Sequence, residues 1–355
     1  MPKTRNDFKP ETPPWLIEDW FPLGHRGMDT APEGSFKTIL GCWLAVCIAS
    51  GTPVFGHPVN KGPVLIVDEE TPENSLSYHL DRFSQGLGYR YCDLPVHILP
   101  MQGFRFGRKT KMDELLTAVN AIDPVFIRLD SLLAMLPSGR QAYSENDCHL
   151  GETIRDDLNK LLTSQRSLLL AAHAKKYVSD LTLDELHEKA MQSIVRGHGS
   201  IVGEGCDTGY ILMKISEHPE PTRFCIITRV RRQAIPSKKT IYIEMKEEKY
   251  GEGWARLEEI PARKLPPSLS AMEIYPLFKV PDRKGNMNHS SQWILRNMAF
   301  RSKHFCRAGV EELLKRKIII ERGPQNYKLN PKMISQCDHD YTKMLDPNIQ
   351  NSHIG

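Results

Sequence analysis

Three short apolar runs in the first half of the chain end on acidic or polar residues. The run from Val64 to Val67 closes on the cluster DEETPE, VFIRLD closes on Asp130, and SLLLAAHAKK passes His173 just beyond its apolar stretch. Helical periodicity at residues 75–85, 111–122 and 150–162 separates them, and VHILP supplies one more short run. Such runs, bounded by turn signals, read as buried strands, and strands alternating with helices assemble into a parallel sheet. The expected fold class is therefore α/β, a mainly parallel sheet flanked by helices, with its functional edge at the strand carboxyl ends.

A loop before the first helix sharpens this. Residues 29–40 read DTAPEGSFKTIL, and the helix KTILGCWLAVCIAS buries Leu40, Trp43, Leu44 and Cys47 on one face before Gly51 stops it. A phosphate cradle needs inward backbone N–H groups at a helix N-terminus, a lysine for the terminal phosphates and a hydroxyl for magnesium. Gly34, Ser35, Lys37 and Thr38 occur in that order, but Ala31 and Phe36 stand where the usual motif has its two glycines. Alone, that deficit favours a structural turn ahead of a core helix. Two carboxylates shift the balance toward nucleotide hydrolysis, which needs one acid for the magnesium shell and one to activate water. Asp130 ends a later strand, and Glu70 follows the strand after the loop's own helix. Each taken singly is as well explained as a helix cap.

From about residue 15 to 243 the chain resembles the RecA-like ATPases of the plasmid RepA replicative-helicase type, related to DnaB and KaiC. The resemblance rests on WLIEDWFP, APEGSFKT, VLIVDEETPE, FIRLDSL, LLLAAHAKK and VRGHGS. Such relatives often carry a bulky residue before the lysine, so the resemblance implies an ATP site at Gly34, Ser35, Phe36, Lys37 and Thr38. It further implies Mg²⁺ at Thr38 and Asp130, Glu70 as general base, with Glu69 as its competitor, and His173 as a sensor of the γ-phosphate. Arg196 matches a finger inserted into a neighbouring subunit's site, with Arg229, Arg231 and Arg232 as competitors, and a trans-acting finger implies a ring, expected to be a hexamer. Residues 176–192 and the stretch PSGRQAYSEND correspond to channel loops, where Arg140, Lys175 and Lys176 are candidate single-strand contacts. A surface-loop role explains those segments equally well.

The basic charge lies at the other end. The chain carries net +4, yet between Lys279 and Lys332 thirteen Lys or Arg face four Asp or Glu, a local excess of nine that leaves −5 elsewhere. PARKLPPS reads as a linker at 261–269, after an ATPase domain at 15–260. Segments rich in β-branched residues extend that domain's sheet with antiparallel strands. Within 270–331, three helices at 271–278, 290–298 and 302–315 precede KIIIERGPQNYKLN, two β-like runs joined by a Gly-Pro turn. Three helices and a wing describe a winged helix. Its third helix would present Arg301, Lys303, His304 and Arg307 to duplex DNA, with Arg322 in the wing on phosphate. Residues 1–14 and 332–355 read as polar ends.

The apolar runs are too short for a membrane span, and no apolar segment of a signal peptide opens the sequence, so the cytoplasm is the expected location. The eight cysteines show no metal-ligand spacing, and no zinc site is expected. The leading function is an ATP-hydrolysing ring that translocates on or unwinds DNA in the replication of a plasmid, phage or mobile element. The alternative is an ATP-switched DNA-binding regulator or loader that separates no strands. A degenerate loop serving only a winged-helix transcription factor is disfavoured by the intact Lys37, Thr38, Glu70 and Asp130, and a small-molecule kinase by the lack of an arginine-rich lid.

Overall fold

Strands that alternate large apolar side chains on both faces must be covered from both sides, and this dictates a layered architecture. The computed structural model describes residues 14–32, 34, 36–137, 148–175, 206–216, 222–230, 240–260, 289–290, 294, 310–311, 313–314, 319–323 and 326–329. The chain divides into two compact units, Met1–Ile260 and Pro261–Gly355.

The first unit opens with a two-stranded ribbon, β1 (Trp15–Ile17) and β2 (Phe21–Pro22). Then follow β3 (Arg26–Ala31), α1 (Lys37–Ser50), β4 (Val64–Asp68), α2 (Glu73–Gly86), β5 (Val96–Pro100), α3 (Lys109–Ile122), β6 (Phe126–Asp130), α4 (Cys148–Leu161) and β7 (Ser167–His173). The last four strands are β8 (Thr208–Ser216), β9 (Arg223–Val230), β10 (Thr240–Lys249) and β11 (Glu252–Ile260). They form one sheet in the order β11-β10-β9-β8-β3-β7-β6-β4-β5. All pairings from β8 to β5 are parallel, and β9, β10 and β11 add on antiparallel.

The expected α/β class is present, and α2, α3 and α4 begin and end within two residues of their sequence-read bounds. Three expectations need correction. Strand β3 was not read as a strand, because Gly27, Asp29 and Thr30 interrupt its apolar pattern although all three are buried. Strand β8 pairs in parallel with β3 instead of continuing an antiparallel extension. The connection from β7 is long enough for a crossover, and antiparallel pairing starts only at β9. Helix α1 is buried almost all round instead of on one stripe.

Side-chain parity sorts the core into two layers. Val64, Ile66, Phe126 and Leu169 pack with α1 and α2, whereas Leu65, Val67, Ile127, Leu168 and Leu170 pack with α3 and α4. Helix α2 is also fastened to the β10–β11 hairpin. Arg82 donates to the Gly253 carbonyl at 2.8 Å and to Glu247 at 2.6 Å, and the Tyr78 hydroxyl donates to the Gly251 carbonyl.

In the second unit, β12 (His289–Ser290), β13 (Ile319–Gly323) and β14 (Asn326–Leu329) form an antiparallel sheet in the order β12-β14-β13. The two runs of KIIIERGPQNYKLN are thus paired, Ile319 opposite Leu329. Helical backbone occurs at 294, 310–311 and 313–314. The rest of the three expected helices, the linker at 261–269, the polar end 332–355 and all but residue 14 of the polar end 1–14 lie outside the described residues. Among the described residues no helix is long and apolar enough to cross a membrane.

The α2 contact with β11 is close enough to exclude a single methyl group. A Cβ at Gly86 would stand 2.0 Å from the Ala255 carbonyl oxygen, which is backbone and cannot swing aside. Gly86→Ala is expected to destabilise the protein by about 2–4 kcal/mol, read as a lower denaturant midpoint with an unchanged slope. A midpoint within error of the wild type would contradict this close approach.

Candidate nucleotide site

The phosphate-type loop joins β3 to α1 at the carboxyl edge of the sheet. Gly34 has φ +72°, with no atom of the described residues within 4 Å of where a Cβ would stand. Phe36 has φ 61° and ψ 19°, the left-handed conformation that glycine adopts freely and other L-residues enter at about 1–2 kcal/mol. The missing glycine is therefore replaced in identity but not in backbone geometry. Its ring lies 5.5 Å from that of Phe224 in β9, so burial offsets the strain. The Ser35 position lies outside the described residues.

The first turn of α1 is arranged for an anion. Phe36 offers no side-chain cap, and the turn contains no acidic residue, so backbone N–H groups are left for a ligand. Lys37 is only 8% exposed, and among the described residues its ammonium has no ion-pair partner. Thr38 donates its hydroxyl to Asp130 Oδ2 at 3.2 Å, tying the helix start to the end of β6.

Beneath the loop runs a row of buried charge that the sequence reading missed. Register pairs Asp68 with Asp130, Leu129 with Leu170, and Ala171 with Asp29, so these acids share one level of the sheet on the α1 face. Arg128, two residues before Asp130, forks onto Asp29 with bonds of 2.6 and 2.9 Å, crossing β7 where its residue is only alanine. The same guanidinium donates to Asp130 Oδ2 and to the Lys37 carbonyl, each at 3.4 Å. Burial works against the charge, but Asp29 and Asp130 overcome it and hold Arg128 protonated. An arginine two residues before a strand-ending acid was the available signal, since i and i+2 share a face.

Glu69 and Glu70 have different surroundings. Glu69 is almost fully buried and accepts from the backbone N–H groups of Gly103 and Phe104 at 3.0 and 2.9 Å and from Arg105 at 3.2 Å. Glu70 instead stays partly exposed, accepts a hydrogen bond from the Ser131 hydroxyl and stands 3.4 Å from His173 Nε2. Hydrogen bonding from His173 lowers its pKa, burial opposes, and Ser131 and Lys37 pull the same way as His173. Asp68 Oδ1 accepts from the N–H groups of Glu70 and Thr71 at 2.9 and 2.7 Å, which fixes the turn carrying Glu70.

A divalent cation fits these donors. Thr38 offers a hydroxyl, and the described residues make their bonds to Asp130 through Oδ2, leaving Oδ1 unengaged. Asp68 Oδ2 is buried with no partner among them. Among the described residues no cluster of three or more His, Cys, Asp or Glu has metal-holding geometry. A hydroxyl and one unengaged carboxylate oxygen suit Mg²⁺, which keeps most of its waters and takes phosphate oxygens.

Lys37, Thr38, Glu70, Asp130 and His173 thus meet at one edge. Lys175 follows His173 by two residues and is partly buried. Arg140, Lys176, Arg196, Arg231, Arg232, Arg301, Lys303, His304 and Arg307 lie outside the described residues, as do the side chains of Arg229 and Arg322.

Residues 3–177 match the family model of the AAA domain, a stretch that contains the loop, Glu70, Asp130 and His173. The core is an α/β fold, a mainly parallel sheet flanked by helices. The family match supports an ATPase. Among solved structures, a KaiC-like protein from the hyperthermophilic archaeon Pyrococcus horikoshii OT3 is similar at TM-score 0.43 and 16% identity, over 69% of this chain and 94% of that one. A comparison with curated proteins finds no match.

Two outcomes follow from this geometry. Because Phe36→Ala keeps the positive φ and loses the ring, whereas Phe36→Gly loses the ring and relieves the φ, the glycine variant should be the more stable by about 1 kcal/mol. Both should fall below the wild type in thermal melts, and an alanine variant equal to or better than the glycine variant would refute the strain. Burial beside Asp130 raises the Asp68 pKa from 3.8 to about 6. Since the folded state then holds this proton more tightly than the unfolded state, ionising Asp68 destabilises the fold as pH rises from about 4 to 6. Asp68→Asn, which can still accept from Glu70 and Thr71, should stabilise metal-free protein by roughly 1–2 kcal/mol at pH 7.5 and hardly at all at pH 4.5. A gain of equal size at both pH values would show that Asp68 is not so shifted.

Proposed function

We propose that the protein is an ATP-hydrolysing, ring-forming DNA translocase or helicase of the RepA-like kind, acting in replication of a plasmid, phage or mobile element. The observation that carries the ATPase part is the contact of Thr38 with Asp130 beside Lys37, a residue only 8% exposed whose ammonium has no ion-pair partner among the described residues, at an uncapped helix N-terminus. Such an ammonium calls for a multiply charged anion, and a nucleoside triphosphate with its terminal phosphates on the loop supplies one.

In this reading the loop backbone at Gly34 to Phe36 and Lys37 bind the β- and γ-phosphates. Thr38 and Asp130 hold Mg²⁺, which supplies charge neutralisation on the phosphate oxygens when bound. Glu70 takes the proton of the attacking water through a carboxylate kept ionised at neutral pH. His173 orients Glu70 from the end of β7 and reports its position to the residues that follow. Arg196 acts in trans as the finger within a hexamer, and Arg140, Lys175 and Lys176 contact single-stranded DNA. The antiparallel sheet of the second unit supports a winged helix there, and the excess of nine positive charges supports duplex DNA as its partner.

The test is steady-state ATP hydrolysis by the full chain, with and without single-stranded or duplex DNA. Lys37→Ala and Glu70→Gln should each lose at least about 100-fold in kcat, with Glu70→Gln still binding nucleotide. Arg196→Ala should also lose turnover while retaining nucleotide. Stimulation by single strands supports the translocating ring. Turnover indifferent to every DNA transfers the reading to an ATP-switched regulator or loader, and no nucleotide binding by the wild type rejects both.

A further inference from the structure

We infer that Arg128 is a positioning residue for the metal-holding carboxylate Asp130, locked in place by Asp29; this rests on the nucleotide-hydrolysis reading above. Three observations converge on it. The fork onto Asp29 uses both terminal nitrogens at 2.6 and 2.9 Å in a site where Arg128 is 1% and Asp29 0% exposed, so the guanidinium plane has one orientation. That plane also brings Nη2 to Asp130 Oδ2, the oxygen already taken by the Thr38 hydroxyl. With Oδ2 engaged twice, the carboxylate cannot rotate freely, and Oδ1 is the oxygen presented to a metal-bound water. Finally, Nη2 reaches the Lys37 carbonyl, so one side chain registers the loop helix, β3 and the end of β6 against each other.

The chemistry depends on geometry as well as on charge. An ammonium at this position keeps the charge balance but cannot fork onto one carboxylate while bonding a second and a carbonyl. Loss of the fork frees Asp130 to turn Oδ1 away from the metal, whereas the loop that binds phosphate is left in place. Partners of this kind around metal ligands change metal affinity by about 10–100-fold.

The experiment measures binding of a fluorescent ATP analogue to the full-length protein, first in EDTA and then along a Mg²⁺ titration, for wild type, Arg128→Lys and Asp29→Asn. The asparagine variant keeps the shape of the pocket and covers the case in which the lysine variant fails to fold. With one arm of the fork weakened, Arg128 turns toward Asp130 and competes with the cation there. The expected result is affinity in EDTA within about twofold of wild type for each folded variant, with the Mg²⁺ half-saturation point raised about tenfold. A folded variant that melts at lower temperature but keeps the wild-type Mg²⁺ half-saturation makes Arg128 a merely structural ion pair and overturns the inference alone. A wild type that binds no nucleotide overturns the nucleotide reading and this inference together.

Discussion

Burying several carboxylates at one level of a sheet is costly unless a cation is built in with them, and Arg128 is that cation. Its side chain has consequences for every element around it. Helix α1 must come close to the sheet there, and a Cβ at Gly41 would stand 3.0 Å from Arg128 Nε, so the helix carries glycine at that point. Strand β7 contributes Ala171 where the guanidinium crosses toward β3. The Lys37 carbonyl accepts one of its protons, which pins the first residue of the loop helix over the end of β6. Removing one partner to leave the other charge buried would be far worse than never having the pair.

The loop also depends on parts of the sheet remote from it in sequence. Phe36 holds a left-handed backbone only while its ring has somewhere to go, and that place is Phe224 in β9. Strand β9 in turn pairs with β8, whose Tyr210 donates its hydroxyl to the Trp20 carbonyl and packs on the Trp20 and Phe21 rings. The antiparallel extension and the entry ribbon therefore brace the loop from behind. A glycine in place of Phe36 would make the loop geometry independent of this support; the phenylalanine makes it conditional on the packing of β9.

What could be read from the sequence follows from where the signals are local. Lys37-Thr38 before an apolar helix, Asp130 after VFIRL and His173 after SLLLAA are visible because each sits where one periodicity ends. The meeting of these residues follows from the rule that functional groups collect at the carboxyl edge of a parallel sheet. Strand β3 escaped because its buried positions include Gly27, Asp29 and Thr30, residues that mimic a loop in any hydropathy pattern. Asp29 and Arg128 escaped for a related reason: Arg128 two residues before Asp130 is a local signal for one half of the pair only, and the register of β3, β7 and β6 is what brings Asp29 to it. The sequence reading favours Glu70 over Glu69 only through the Thr71-Pro72 that follow it; that the Gly103 and Phe104 amides occupy Glu69 has no local signal, because that turn lies more than thirty residues away.

That division of labour in DEE explains how a partly exposed carboxylate can be held ready beside a crowded edge. Asp68 spends one oxygen on the N–H groups of Glu70 and Thr71, and Glu69 is fully engaged by the turn after β5, so the backbone on both sides of Glu70 is fixed while its own side chain is not. Glu70 makes its contacts to Ser131 and His173 through one oxygen, Oε1. A group that draws this carboxylate toward the loop must compete with Ser131 and His173 for Oε1, and His173 is the last residue of β7, so the position of Glu70 is tied to the end of that strand.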